Sequence, residues 1–438
     1  MSMNKQYYWI ISLDNLAGDD HFQDLPAFRW YLERAAYCRH VDSIYPSVTY
    51  PAHTTLMTGR WPVQHGIINN TRFQPERLGK EDWYWQSKYI QGKTLVDLAH
   101  ERKWKVASYL WPVMGGNRKI AYNMPEIFAN RKWDNQILTS LRNGSKLFQL
   151  QAFLKHGSEM DGIRQPALDS FLHHVVLDTF AQKMPQVQFI HFVDLDATRH
   201  IYGHSSPEAE EAIRRHDQRL QDIFDLVEQK GLMDQTHFII LGDHSSIDEH
   251  TAVYLNVLFK RQNLLHLKKD GTVQDWRVIS HTCDGSAYIQ VKDPGKIPKV
   301  RTLLETFSQK HGNCIETIYS GVEAEEKGAG PCSLMVEAAR GYYFLDEADH
   351  EELLHQIRPE DIDNMPHITR STHGYSPLKE NYQTFFSMMG SKIRPGEITE
   401  PMRLVDVAPT IARLWDAVLP ETEGKAQEAF FNNHRRQV

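Results

Sequence analysis

The chain has 438 residues, 41% apolar and 24% charged, with a net charge of -7, the profile of a soluble protein with one large domain and an insertion, or with two domains. The acidic balance is spread without long blocks, which argues against nucleic acid or anionic membranes as general partners, and no run approaches the roughly 20 apolar residues of a membrane span. Four widely spaced cysteines without a C-x-x-C pair, and a start (MSMNKQYYWIISLD) lacking the long apolar core of a secretory signal, point to reduced thiols and a cytoplasmic location.

In chain order, YYWIISLD (7 to 14) is a continuous apolar run that ends in aspartate. Such runs suit strands buried on both faces, as in a parallel sheet. PSVTYPAHTTLMTGRWPVQHGIINN (46 to 70) crowds three prolines, five hydroxyl residues and two histidines together, and prolines favour turns and helix starts. KTLVDLAHERKWKVASYLWP (93 to 112) predicts a helix leading into a strand. QFIHFVDLD (188 to 196) and THFIILGDH (236 to 244) repeat the apolar run ending in aspartate. Between them Ile213, Leu220, Ile223, Phe224 and Val227 follow helical spacing, and Gly231 is the stop. Strand, helix, strand is a βαβ unit. The fold class is therefore α/β with a mainly parallel central sheet, whose ligands bind beyond the strand ends where Asp14, Asp196 and Asp243 stand.

From about Leu255 the texture becomes more charged. SAYIQVKDP, KVRTLLETFSQKHG, IETIYSG, a loop rich in Glu, Gly and Ala, and SLMVEAARGYYFL predict a small α+β insertion. The expected domains are a first part of the core (1–254), the insertion as a cap (255–366) and a closing part of the core (367–438). TFFSMMG and LVDVAPTIARLWDAVL supply a last strand and helix, and a polar tail from Glu421 is expected to be loosely held.

An aspartate at a strand end often only caps the next helix. The joint pattern says more. Asp196 and His200 stand four apart, Asp243 and His244 are adjacent, His373 precedes a glycine, and Asp14 ends the first run. These six side chains, at predicted loop positions, offer the nitrogen and oxygen ligands that zinc takes. Six are enough for two ions, which can clamp a phosphoryl group and activate an attacking oxygen. The hydroxyl-rich segment would supply that oxygen, because a threonine is a weak nucleophile until a metal activates it.

The segment P-S-V-T-Y-P-x-H-x-x-x-x-T-G-x-x-P-x-x-H-G-I-I-N-N resembles the nucleophile segment of the nucleotide pyrophosphatase/phosphodiesterase family, within the alkaline phosphatase superfamily. DATRHIYGH, GDHSS, THGYSP and VDVAPTIARL resemble further segments of that family in the expected order. The resemblance implies an alkaline-phosphatase-like three-layer sandwich and a hydrolase of phosphodiester or pyrophosphate bonds acting on a small phosphate ester or nucleotide. It implies Thr49 as nucleophile through a phosphothreonine. It further implies Asp196, His200 and His373 at one zinc ion, Asp14, Asp243 and His244 at the other with Thr49 oxygen alongside, and Asn70 as an amide donor to a phosphate oxygen. Tyr50 keeps an aromatic face for substrate. His191 stands where nucleotide-cleaving members often carry tyrosine, a departure at an expected substrate contact. Arg118 and Lys119, in WPVMGGNRK, are candidates to meet an anionic group. His53 and His65 match no ligand position and read as structural. Phosphonoacetate hydrolases and phosphomonoester hydrolases on the same two-zinc site are the alternative, and a silent binding module is a third reading, opposed by the filled ligand positions. The oligomeric state is left open, with a homodimer as one arrangement.

Overall fold

A computed structural model describes residues 5–362, 364–365 and 367–432; Pro366, the expected end of the insertion, lies outside them. The seven main strands are β1 (Tyr7–Leu13), β2 (Ala35–Asp42), β3 (Val106–Tyr109), β4 (Tyr122–Met124), β5 (Val187–Phe192), β6 (Thr236–Leu241) and β7 (Thr384–Met389). They run in the order β2-β7-β6-β1-β5-β3-β4, with short strands Gly396–Glu397 and Met402–Arg403 beside β2, to make a nine-stranded sheet. All are parallel except β7, which is antiparallel to both neighbours. This is the α/β class expected.

Every residue of β1 is buried, and the alternation of its side chains feeds two cores. Tyr8 and Ile10 pack on one face, Tyr7, Trp9, Ile11 and Leu13 on the other. A strand covered on both sides has no polar face, hence the continuous apolar run. The helices that cover the sheet are α1 (Pro26–Leu32), α2 (Thr49–Thr58), α3 (Leu95–Glu101), α4 (Ala167–Lys183), α5 (Asp194–Tyr202), α6 (Pro207–Gln229) and α7 (Val407–Leu414). Side chains of α2, α3 and α7 join the first core; those of α1, α4 and α6 join the second. The result is a three-layer sandwich.

The region after Leu255 forms a four-stranded antiparallel sheet ordered Val278–Thr282, Ser286–Val291, Leu334–Ala338, Ile315–Ser320. The helix Ile297–Lys310 packs Val300, Leu304 and Phe307 into its separate core. Two expectations need correction. The Glu-, Gly- and Ala-rich segment is a helix over Gly321–Glu326, started by a reciprocal Ser320–Glu323 capping box. The tail over residues 421–432 is anchored, because Phe430 and Phe431 are buried in the first core; its remainder, 433–438, lies outside the described residues.

The helix α5 is fixed by a buried ion network. Asp194 at its first residue is fully buried and receives Arg215 through Nε at 2.7 Å and Nη2 at 2.8 Å, with Arg219 at 3.0 Å. Asp169 of α4 accepts the N–H groups of Val193 and Asp194, both at 2.9 Å, satisfying two donors that a helix start leaves free. We expect Asp194→Ala to lower the unfolding free energy by about 3 kcal/mol, because Arg219 then stays buried without its closest carboxylate. Urea unfolding checks this, and a loss below about 1 kcal/mol would contradict it.

Candidate active site

The carboxyl ends of β1, β5 and β6 open on a cleft of about 580 Å³ between the sheet and the insertion, lined by Asp14, Thr49 and Asp196 on one side and Thr282, Asp284 and Asp346 on the other. Thr49 is the first residue of α2, preceded by Val48 in extended conformation. Proline at 51 falls in the first turn, where the missing N–H costs nothing. The Tyr50 N–H of that turn donates to Asn70 Oδ1 at 2.8 Å. Among the described residues the Asn70 side-chain amide has no recorded acceptor, so its N–H groups remain available at the cleft. Thr54 and Thr58 hydroxyls donate back to carbonyls four residues earlier, at 2.9 and 2.8 Å, and Thr55 donates to the Arg60 carbonyl at 2.8 Å. They are structural. Thr49 Oγ1 instead stands 3.1 Å from His244 Nε2.

Two trios of side chains meet here. Asp196, His200 and His373 bring ligand-type atoms within 4.8 Å of one another, and so do Asp14, Asp243 and His244. The trios adjoin, with the His244 and His373 rings 4.0 Å apart. Asp196 and His200 lie on helix α5 rather than in a loop as expected; their four-residue spacing puts both on one helical face. His200 Nδ1 donates to the Ser371 carbonyl at 2.8 Å, turning Nε2 toward Asp196 Oδ2 at 3.2 Å, the orientation a metal-ligating imidazole needs.

Asn15, which the sequence reading missed, ties the trios together. Its N–H donates to Asp243 Oδ1 at 3.1 Å and its side-chain amide to Asp196 Oδ1 at 3.0 Å. It sits at φ 65°, a left-handed conformation that asparagine tolerates better than most residues. The Arg199 guanidinium holds the Asn15 carbonyl and Asp20. The available signal was an asparagine directly after a strand-end aspartate. His191, expected at the substrate, does not line the cleft. It is 1% exposed, facing Asp14 Oδ2 at 3.0 Å and the Leu110 carbonyl at 3.1 Å, so it backs a trio member. His53, read as structural, packs behind Thr49 and Asp243, 2.8 Å from the Thr49 carbonyl and 3.4 Å from Asp243 Oδ2. His65 pairs with the Thr55 hydroxyl at 3.0 Å. Arg118 and Lys119 do not line the cleft, and Lys119 is paired with Asp97.

The electrostatics are those of a site short of positive charge. Burial, then the Asp196 carboxylate, raises Asp14 to about 6, and burial, then Asp14, raises Asp243 well above the carboxylate range. Burial lowers His373 to about 4 and, with the His373 ring, lowers His244 well below the imidazole range. Burial opposes both charges of the Asp196–His200 pair, but their mutual attraction prevails, lowering Asp196 and raising His200 to about 9. Asp14 Oδ1, Asp243 Oδ2, His244 Nδ1 and His373 Nδ1 are buried without a hydrogen-bond partner among the described residues. Buried polar atoms rarely stay unpaired. The residues present fit two cations bound by imidazole and carboxylate. Two other trios meet the same distance condition, His156–Glu159–His174 and Asp19–Asp20–His204. Neither has an unpartnered buried carboxylate or imidazole atom, because ion pairs with Asp178 and Arg199 already satisfy them.

Residues 9–376 match the family model of type I phosphodiesterase / nucleotide pyrophosphatase. The chain belongs to that family. Among curated relatives, ectonucleotide pyrophosphatase/phosphodiesterase family member 1 of Mus musculus is 21% identical over 224 residues, 50% of this chain and 21% of the relative. Venom phosphodiesterase 1 of Crotalus adamanteus is 24% identical over 235 residues, covering 50% and 23%. An uncharacterized pyrophosphatase/phosphodiesterase of Schizosaccharomyces pombe is 20% identical over 270 residues, 59% of this chain and 48% of the relative. The chain thus spans less than half the length of these relatives. Among solved structures, murine ectonucleotide pyrophosphatase/phosphodiesterase 5 superposes with a TM-score of 0.64 at 18% identity, covering 96% of this chain and 97% of that one. The fold is therefore that of this alkaline-phosphatase-like family. No helix among the described residues is long and apolar enough to cross a membrane.

Proposed function

We propose that this protein is a two-zinc phosphodiesterase that cleaves small phosphodiesters or nucleotide esters by way of a phosphothreonine at Thr49. The observation that carries this is the convergence of the Thr49 hydroxyl with two adjoining Asp/His trios at one cleft, which Asp14, Asp196, His200 and His373 line and which the fully buried Asp243 and His244 back. Imidazole with carboxylate suits zinc over magnesium. Bound there, the ions would neutralise phosphate charge and make the hydroxyl a competent nucleophile.

The chain's own residues do the rest. The first turn of α2 holds Thr49 Oγ1 toward the trios, and Asn70 offers its amide N–H groups to a non-bridging phosphate oxygen. Thr49 Oγ1 forms a bond to phosphorus as the bond to one ester oxygen breaks, releasing the alcohol. Water then cleaves the threonine–phosphorus bond, so that one diester and one water give a monoester and an alcohol. A threonine-to-alanine form of the murine relative, described as inactive and in complex with AMP, supports this reading. The four cysteines are free thiols, which fits a cytoplasmic setting.

Diesters are the favoured class. No arginine lines the cleft among the described residues, whereas a monoester dianion brings more charge to neutralise. We expect kcat/KM for bis-p-nitrophenyl phosphate to exceed that for p-nitrophenyl phosphate at least tenfold at one pH. A monoester preference, or rapid phosphate release from phosphonoacetate, would place the protein with the alternative hydrolases on this site.

A further inference from the structure

Outside the cleft, the helix Lys146–His156 has its amphipathic pattern reversed. Leu147, Leu150 and Leu154 follow the three- and seven-residue spacing of one helical face, and they are 69%, 48% and 77% exposed. The opposite face, which the rest of the chain covers, carries Gln149 and Ala152, each 7% exposed. Gln149 Nε2 donates to the Ser140 carbonyl of the neighbouring helix Gln136–Asn143 at 3.0 Å. That second helix buries none of its residues. Polar contacts hold it: Asn135 Oδ1 accepts the Leu138 N–H and Gln86 Nε2 donates to Asn143 Oδ1, both at 3.1 Å. Its eight residues fall short of the roughly 12–15 at which an isolated helix becomes even marginal in water. Helices of globular proteins are stabilised by the apolar face they bury, and here both helices turn that face outward, with Ile137 and Leu138 also exposed.

Fourteen large apolar side chains are exposed among the described residues, and eight of them lie within residues 133–163. Together these eight expose on the order of 1,000 Å² per chain, above the roughly 300–600 Å² of a monomer's largest apolar patch. Each partner of a standard protein interface buries about 800 Å², so the area suffices for a stable pair. The rim decides the occupant. Arg142 and Lys146, near the start of the longer helix, have no ion pair among the described residues, whereas beyond its end Lys155 is paired with Asp178, Arg164 with Asp161, and Glu159 meets only His156 and His174. An anionic membrane calls for one positive sign throughout. A face that is basic at one end, with a carboxylate and free helix carbonyls at the other, complements itself when it meets its own copy antiparallel.

We infer that this face joins two copies of the chain about a two-fold axis. The helices Lys146–His156 pair antiparallel, with Leu150 near the axis against its own copy and Leu147 against Leu154 of the partner subunit. Thr49 and the two trios lie outside this face, so association and hydrolysis are separable. The test is the mass of the full chain by analytical ultracentrifugation at micromolar concentration, where the wild type is expected as two chains. Leu150→Glu and Leu154→Glu should each raise the dimer dissociation constant at least a hundredfold while keeping the wild-type circular dichroism. Val418→Glu, at an apolar residue 85% exposed elsewhere, should leave the dimer intact. Leu150→Cys should form an interchain disulfide under mild oxidation, and Val418→Cys should not. A wild-type mass of one chain overturns the inference; if that monomer cosediments with phosphatidylserine vesicles, the face belongs to a membrane instead. A dimer that keeps its wild-type dissociation constant in both glutamate variants also overturns it, because the contact then lies elsewhere.

Discussion

Thr49→Ala is expected to lower kcat on the order of 10³-fold or more, while the unfolding midpoint and bound metal change little. The substitution removes one hydroxyl and one methyl at the first position of α2. No side-chain cap is lost, since the cap position is Val48 and makes no such bond. The Tyr50 N–H keeps its Asn70 acceptor, and the Thr49 carbonyl still meets His53. The trios are untouched, so a water held among them retains a residual rate. The control is Thr54→Ala, which removes only the back-bond to the Tyr50 carbonyl and should cost far less turnover. A phosphorylated wild-type intermediate, trapped by acid quench and mapped to Thr49 by peptide mass spectrometry, should be missing in the variant. Wild-type turnover in Thr49→Ala would sink the nucleophile assignment.

What was legible in the sequence follows from locality. Asp14 and Asp243 could be read because each follows a strand buried on both faces, and such strands announce themselves as unbroken apolar runs. The nucleophile segment is contiguous, and its prolines and glycines mark where a helix begins and ends: Pro51 in the first turn, Gly59 at φ 65°. Asp196 and His200 were expected in a loop because the apolar run from 188 to 196 ends in aspartate, as a strand giving way to a loop would; the chain turns helical at Asp194, which the distant Arg215 and Arg219 pin down. The family resemblance placed His191 at the substrate, yet alternation on β5 buries it behind Asp14. The buried carboxylates of the outer cleft were illegible for a different reason. Glu81 comes from the core and Asp346 from the insertion, and only the tertiary packing of the two brings them to one cavity.

The second large effect expected is complete loss of hydrolysis on chelation, with recovery by two zinc ions per chain and weaker recovery by magnesium. The charge state of the trios makes this quantitative in pH. Held by Asp196, His200 keeps its proton up to about 9 in the metal-free protein, and burial keeps Asp14 protonated up to about 6. A cation binding through either atom must displace that proton, whereas His373, lowered to about 4 by burial, already offers its lone pair at neutral pH. Affinity at the Asp196–His200–His373 trio should therefore rise with pH between about 6 and 9, by up to roughly tenfold per unit while one proton is exchanged. At the other trio the corresponding loss as pH falls includes proton uptake by Asp14 at about 6 and by Asp243, which burial and then Asp14 raise well above the carboxylate range. Calorimetric zinc titration of the chelated protein in buffers of different ionisation enthalpy reads both the stoichiometry and the protons released. His200→Ala should reduce the stoichiometry to one. Full activity in excess chelator, or zinc uptake near two per chain that releases no protons at pH 7, would overturn the two-ion assignment or its charge balance respectively.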